Sequence, residues 1–392
     1  MRPSALNENR RILVLTLSFG SGHVRAAHAV AQELLRQAPE ADVRIVDALE
    51  DCRRLFRAGY VWPYWAMIRF APSLWARLFA ARTRRMSAQT APSWAFRWGC
   101  PKVFEVIAQF KPRTIIATEV AACEMAVIAK KCGLSQARII NVITDYEAEP
   151  VWVKPEVDDY FVPDRAVGAQ LHAWGAAAES IHICGIPIAS SFHARANAQQ
   201  TRARYGFSDD SPLVLLMGGG MGPTRMDRVA AQLSTSGMPM HIVALPGHDT
   251  RMRQRLSRLR LAGSVTLTVL DWTDDVAALM HAATVLATKP GGLTTAEAAA
   301  CHLPLVLFDA IPGPELRNVQ RFAEAGACVP TKGPEDTAAG VMYVLNDQRV
   351  QYAMSLKARE VAHSDAANMI ANRALAISAP AGISAKRGIA SA

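Results

Sequence analysis

The sequence predicts an α/β protein built from two doubly wound domains that face each other across a cleft. Three observations lead there. Short Val-, Ile- and Leu-rich runs alternate with helical stretches of roughly ten to fifteen residues, the pattern of parallel sheets covered on both faces. The alternation breaks once, at 186–212, where the chain turns polar and carries Ser208-Asp209-Asp210-Ser211-Pro212 before a strand restarts it. At 392 residues the chain is also too long for one ordinary core.

The elements follow in order. First-domain strands are expected at Ile12–Leu17, Val43–Val46, Thr114–Ala117, Ile139–Ile143 and Ile181–Cys184, with helices such as Val24–Gln37 and Cys123–Lys131 between them. After Ser190 the strands resume at Leu213–Met217, His241–Leu245, Val265–Leu270, Thr284–Ala287 and Leu305–Phe308. The boundary is placed between 190 and 191, so that 1–190 forms the first domain and 191–363 the second. Residues 379–392 are small and polar and are expected to be a disordered tail.

Composition narrows the function. Half the residues are apolar and 20% are charged, which describes a globular chain. A net charge of +9 favours anionic partners: nucleic acid, a phospholipid surface or a phosphorylated substrate. The seven cysteines are scattered, odd in number and without a C-x-x-C pair, which fits neither a disulfide framework nor a zinc site. No secretory signal is recognisable, and nothing approaches the ~20 apolar residues of a membrane span. The expected place is the cytoplasm, or a membrane surface that the chain does not cross.

Two glycine-rich turns in the second domain suggest an anion site. Leu213–Met217 runs into Gly218-Gly219-Gly220-Met221-Gly222, and Lys289-Pro290-Gly291-Gly292 precedes a helix opening with Thr294 and Thr295. Glycines let the backbone approach a ligand, and the helix start offers free N–H groups to a diphosphate. Glu297, one turn into an alanine-rich helix, is costly there unless something donates to it, as two ribose hydroxyls would. The alternative is a capping glutamate answering Thr294. No two aspartates stand at positions i and i+2, so the acidic metal clamp of many sugar-nucleotide enzymes is missing and no metal is expected. A leaving diphosphate would rely on helix ends and donors.

In the first domain, Ser18-Phe19-Gly20-Ser21-Gly22-His23 follows the first strand. An imidazole held at a strand's carboxyl end can take a proton from an attacking alcohol; the alternative is a histidine that caps a helix. Between Cys52 and Lys102 lie nine arginines and five of the eight tryptophans (62, 65, 75, 94 and 98). Trp62, Trp65 and Trp75 with Arg82, Arg84 and Arg85 suit an anionic bilayer interface. A buried aromatic cluster with a solvated arginine face is the bland alternative, and nucleic-acid stacking a weaker one.

SFGSGH, TDY at 144–146, VWVKPEVDDYFVP at 151–163, GIPI at 185–188, GGGMG and KPGGLTTAEA occur in one order. This resembles the family of monogalactosyldiacylglycerol synthases and processive diacylglycerol glucosyltransferases, more distantly the enzyme adding N-acetylglucosamine to the peptidoglycan lipid precursor. The resemblance covers roughly 11–360. It implies a GT-B fold of two Rossmann-like domains, with a final helix near 364–378 crossing back to the first. It implies inverting transfer of a hexose from a UDP-sugar, the donor substrate, to a lipid hydroxyl on the inner face of the cell membrane. His23 falls at the base, and Gly20, Ser21, Gly22, Asp145 and Glu149 in acceptor loops. Gly218, Gly219, Gly220 and Met221 fall against the diphosphate or sugar, and Lys289, Gly291, Gly292, Thr294 and Thr295 around the phosphates. Glu297 falls at the ribose, and Glu315 and Asn318 at the hexose. Where the family pattern has histidine after T-D-aromatic, this chain has Glu149, and where P-G-Q-E-E-x-N has glutamine it has Pro314. These departures motivate a second reading, a different lipid acceptor such as a polyprenyl-linked precursor; a third is a non-catalytic nucleotide-sugar-binding module on the same fold.

Overall fold

The aliphatic runs become strands because both their faces are covered. Ile12, Leu13, Val14 and Leu15 are all fully buried, Leu13 and Leu15 on one side of the sheet and Ile12 and Val14 on the other. The computed structural model describes residues 10–84, 89–194, 196–219, 224–363 and 365–378. The predicted tail at 379–392 lies outside them.

Strands β1 (Arg11–Thr16), β2 (Asp42–Asp47), β3 (Thr114–Ala117), β4 (Arg138–Val142), β5 (Asp159–Val162) and β6 (Ile181–Ile183) form the first sheet. Its order is β2-β1-β3-β4-β5-β6, parallel throughout. The second sheet holds β7 (Leu213–Met217), β8 (Met240–Leu245), β9 (Val265–Val269), β10 (Val285–Thr288), β11 (Leu305–Leu307) and β12 (Cys328–Pro330). It runs β12-β11-β10-β7-β8-β9, again all parallel. Strand order reverses between β1 and β3 and between β7 and β10, where doubly wound sheets open a crevice for ligands.

The predicted fold class is what the chain adopts, the final helix included. Ala366, Ile370, Ala371 and Ala374 of the Ala366–Ser378 helix pack on Ile12, Val14, Ala27 and Val30 of the first domain. Thr114 Oγ1 and Ser378 Oγ, 2.9 Å apart, close its end. Two strands escaped the sequence reading. β5 is four residues long and opens with an aspartate, and β12 is a three-residue edge strand ending in Pro330. Asp159-Tyr160-Phe161-Val162 and Cys328-Val329-Pro330 each hold a single Val, Ile or Leu, so neither shows an aliphatic block.

Candidate active site at two facing helix starts

Register sets the first half of the site. Leu15 of β1 pairs with Ala117 of β3, so the loops leaving the two strands run side by side. The helix expected from Val24 begins earlier, at Ser21, with extended Gly20 (φ −158°) as its N-cap. His23 therefore stands in the helix's first turn, not on a loop before it. Its Nδ1 lies 3.0 Å from the Thr118 carbonyl oxygen and 2.8 Å from Thr144 Oγ1. A carbonyl can only accept, so Nδ1 carries the proton and Nε2 keeps its lone pair. Thr118 is steadied in turn, its hydroxyl 2.9 Å from Thr16 Oγ1 and 3.0 Å from the His23 carbonyl. Burial pushes the imidazole pKa down to about 4, against the opposing pull of the Thr118 carbonyl. The ring is neutral at pH 7 and does not cap its helix.

The second half repeats the geometry. Thr288 of β10 pairs with Met217 of β7, which sets Gly218 and Lys289 at adjacent strand ends. Gly291 N-caps the Gly292–Ala300 helix. A Cβ on Gly292 would lie 2.2 Å from the Thr144 carbonyl oxygen, so only glycine lets this helix start touch the first domain. Asp145 accepts from the Gly292 N–H and from Asn318 Nδ2; burial outweighs both and lifts its pKa to about 6. Gly219, at φ +71°, sits on the cleft wall. Gly220 and Met221 lie outside the described residues.

One cleft of about 210 Å³ gathers most of the predicted residues: Gly20, Ser21, Gly22, His23, Asp145, Gly219, Lys289, Gly291, Gly292, Thr294 and Glu315. Phe19, Arg25, Tyr64, Trp65 and Trp272 complete the wall. Lys289 and Glu315 face each other at 3.6 Å. Burial raises the Glu315 pKa, with Lys289 working against it.

Five predicted residues stand apart from the cleft wall. Gly218 lies beneath it, where a Cβ would meet Met226 Sδ at 2.9 Å. Thr295 turns its hydroxyl back to the Gly291 and Gly292 carbonyls and holds the helix start together. Asn318 is fully buried: Nδ2 donates to Pro290 O (2.8 Å) and Asp145 Oδ1, and Oδ1 accepts from Tyr146 N (3.0 Å). It ties the first domain's TDY loop to the second domain's KPGG turn, with both amide hydrogens engaged. Glu149 pairs with Arg82 at 2.7 Å. Glu297 is 1% exposed and does not cap its helix; Arg25 Nη2 holds Oε1 at 3.0 Å, and Oε2 has no partner. Burial lifts its pKa to about 7, with Arg25 opposing.

The sequence reading missed Arg25, Thr118 and Thr144. Arg25 had a signal, a cation two residues past His23 in an alanine-rich helix. Thr118 had none, because it acts through its backbone carbonyl, and Thr144 stood only as the first residue of the TDY stretch. Among the described residues, no group of three or more His, Cys, Asp or Glu could hold a metal ion.

The protein-family model described as monogalactosyldiacylglycerol (MGDG) synthase matches residues 23–188, and that of glycosyl transferases group 1 matches 222–361. A processive diacylglycerol β-glucosyltransferase of Bacillus mycoides (strain KBAB4) is 27% identical over 369 residues, 94% of each chain. The enzyme of the same name from Bacillus cereus (strain B4264) is 27% identical over 340 residues, 87% of each. Over most of its length the chain is similar to these glycosyltransferases. Solved structures agree on the fold. Acinetobacter baumannii MurG superposes with a TM-score of 0.61 at 15% identity, covering 93% of this chain and 99% of that one. S. aureus MnaA bound to UDP gives 0.60 at 13%, covering 92% and 95%.

In this glycosyltransferase the basic aromatic segment forms the helices Arg54–Phe70, Pro72–Arg84 and Ser93–Gly99. It divides the residues expected at a membrane. Trp62 is 73% exposed, whereas Trp65 lines the cleft and stacks on Phe19 at 6.3 Å. Trp75 packs edge-on against Tyr64 at 4.9 Å, and Tyr64 meets Phe19 at 4.5 Å. Arg82 is drawn to Glu149, so it and the two inner tryptophans are half-buried rather than at the surface. The Arg84 side chain and Arg85 lie outside the described residues. Leu55, Phe70, Leu74, Leu78 and Trp94 are exposed with Trp62, and the Arg69 guanidinium lies over the Phe70 ring at 5.6 Å. Among the described residues no helix is long and apolar enough to cross a membrane.

Proposed function

We propose that this glycosyltransferase moves a hexose from a UDP-sugar to the hydroxyl of diacylglycerol or a similar membrane lipid, with inversion at the anomeric carbon. One observation carries the reading. A neutral imidazole with its Nδ1 proton committed to Thr118 shares a cleft with the anion-ready start of the Gly292 helix. His23 Nε2 takes the proton of the acceptor hydroxyl as that oxygen attacks. The Leu293 and Thr294 N–H groups at the helix start and the cleft cations hold the leaving diphosphate, without a bound metal. The curated relatives, named for glucosyl transfer to diacylglycerol, support the acceptor class.

The Arg54–Phe70 helix accounts for the acceptor's path. Tyr64 and Trp65 reach the catalytic loop, while Trp62 and Phe70 of the same helix face outward. Those outer side chains and the surrounding arginines dock on an anionic bilayer, on the inner face of the cell membrane. A lipid hydroxyl then enters beside Phe19 without its acyl chains crossing water. Glu149, paired with Arg82 beneath that helix, narrows the acceptor among lipids rather than changing the chemistry.

The test incubates the protein and membranes with separately labelled UDP-glucose, UDP-galactose and UDP-N-acetylglucosamine. One labelled hexosyl-diacylglycerol is expected. Label in a polyprenyl-linked product would shift the acceptor, and UDP binding without any labelled lipid would establish a non-catalytic module.

A further inference from the structure

The pair between Arg25 and Glu297 crosses from one domain to the other and is unfinished. Glu297 is almost wholly buried, yet only Oε1 is partnered, at 3.0 Å from Arg25 Nη2, and Oε2 has none. A buried carboxylate with an open oxygen is a group still able to take donors. Among the described residues Arg25 is its one counter-charge, and it is itself about a third exposed, at the cleft wall.

Charge at the cleft decides what Arg25 does next. A nucleoside diphosphate brings anionic oxygens to the start of the Gly292 helix, where the Asp145 carboxylate already meets the Gly292 N–H. Two cations line that cleft, Lys289 and Arg25, and Lys289 faces the buried Glu315. Arg25 is close at hand. It stands one turn along the helix whose Gly22 would bring a Cβ within 3.6 Å of Leu293 Cβ. Its planar fork is suited to diphosphate oxygens.

We propose that Arg25 is a partner-exchanging cation, shielding Glu297 while the cleft is empty and turning to the donor's diphosphate once two ribose hydroxyls take the carboxylate. This rests on the UDP-sugar reading above. The exchange explains how an acid buried among alanines stays paired in both states. It also makes the site discriminate. Uridine must break the ion pair and offers the guanidinium nothing in return, whereas UDP replaces both halves of it.

Calorimetric titration of the full chain with UDP and with uridine tests this, using Arg25→Gln, Glu297→Gln and the double variant. Arg25→Gln should weaken UDP on the order of tenfold to hundredfold, the worth of a charged hydrogen bond, and should not weaken uridine, which no longer has an ion pair to break. If Arg25→Gln folds poorly because it strands a buried carboxylate, the double variant removes that charge. Against Glu297→Gln alone, the double variant should still lose UDP affinity selectively. Equal weakening of UDP and uridine, or a double variant that binds UDP as tightly as Glu297→Gln, would overturn the exchange. A wild-type chain that binds no UDP would overturn the donor reading itself, and is told apart by that.

Discussion

Two helix starts meet across the cleft, and they differ in what they offer. Ser21–Gln37 and Gly292–Ala300 each follow a central strand, each has glycine as N-cap, and neither N-cap supplies a side-chain hydrogen bond. The first places an imidazole in its opening turn, pinned through Nδ1. The second, Gly292-Leu293-Thr294, places no titratable side chain there, so its backbone N–H groups are the functional surface. One local geometry thus serves proton transfer on one side and anion binding on the other. The residues within three positions of the cap decide which.

Removing the side chain on the first side should have the largest effect. His23→Ala is expected to lower turnover by about 10²–10⁴-fold, the usual worth of a general base, and leave UDP affinity unchanged. Full activity in that variant would break the comparison. On the second side the backbone is the target. Gly292→Ala drives a methyl against the Thr144 carbonyl and should cost about a hundredfold in kcat/KM by displacing the facing loops. Steady-state kinetics with unchanged far-ultraviolet dichroism would separate this from unfolding.

The joint between the two starts should respond more mildly. Asn318→Ala strands the Tyr146 N–H and the Pro290 carbonyl, and is expected to lower stability by about 3 kcal/mol in urea unfolding. The smallest effect is predicted far from both starts. Trp62→Ser should loosen binding to anionic vesicles by about tenfold, the loss of one buried ring, with turnover on detergent-dispersed lipid unchanged. Unaltered vesicle binding would remove that face from the membrane.

Much of this was legible in the sequence, for physical reasons that also mark the limits. Aliphatic blocks such as Leu213–Met217 announce a strand because parallel sheets bury both faces. β12, Cys328-Val329-Pro330 at the sheet edge, has one aliphatic residue and a proline and announces nothing. Glycine turns at strand ends pointed to the cleft and to His23, since few other constraints need such a pair. Side-chain direction was not legible. Trp62 and Trp65 are three positions apart, yet one meets solvent and the other lines the cleft. Asn318 fits a hexose contact by motif, but the structure spends its amide on the joint between domains. Glu297 read correctly as an acid needing donors, while the donor it has, Arg25, comes from the facing domain. Only the fold brings those two residues together.

A crystal structure of the chain with UDP tests the central claim most directly. The account predicts the diphosphate against the N–H groups of Leu293 and Thr294, the ribose hydroxyls on Glu297, and His23 Nε2 facing the same cleft. UDP lodged elsewhere, or a closed cleft in which the His23 ring turns out to bulk solvent, would contradict it.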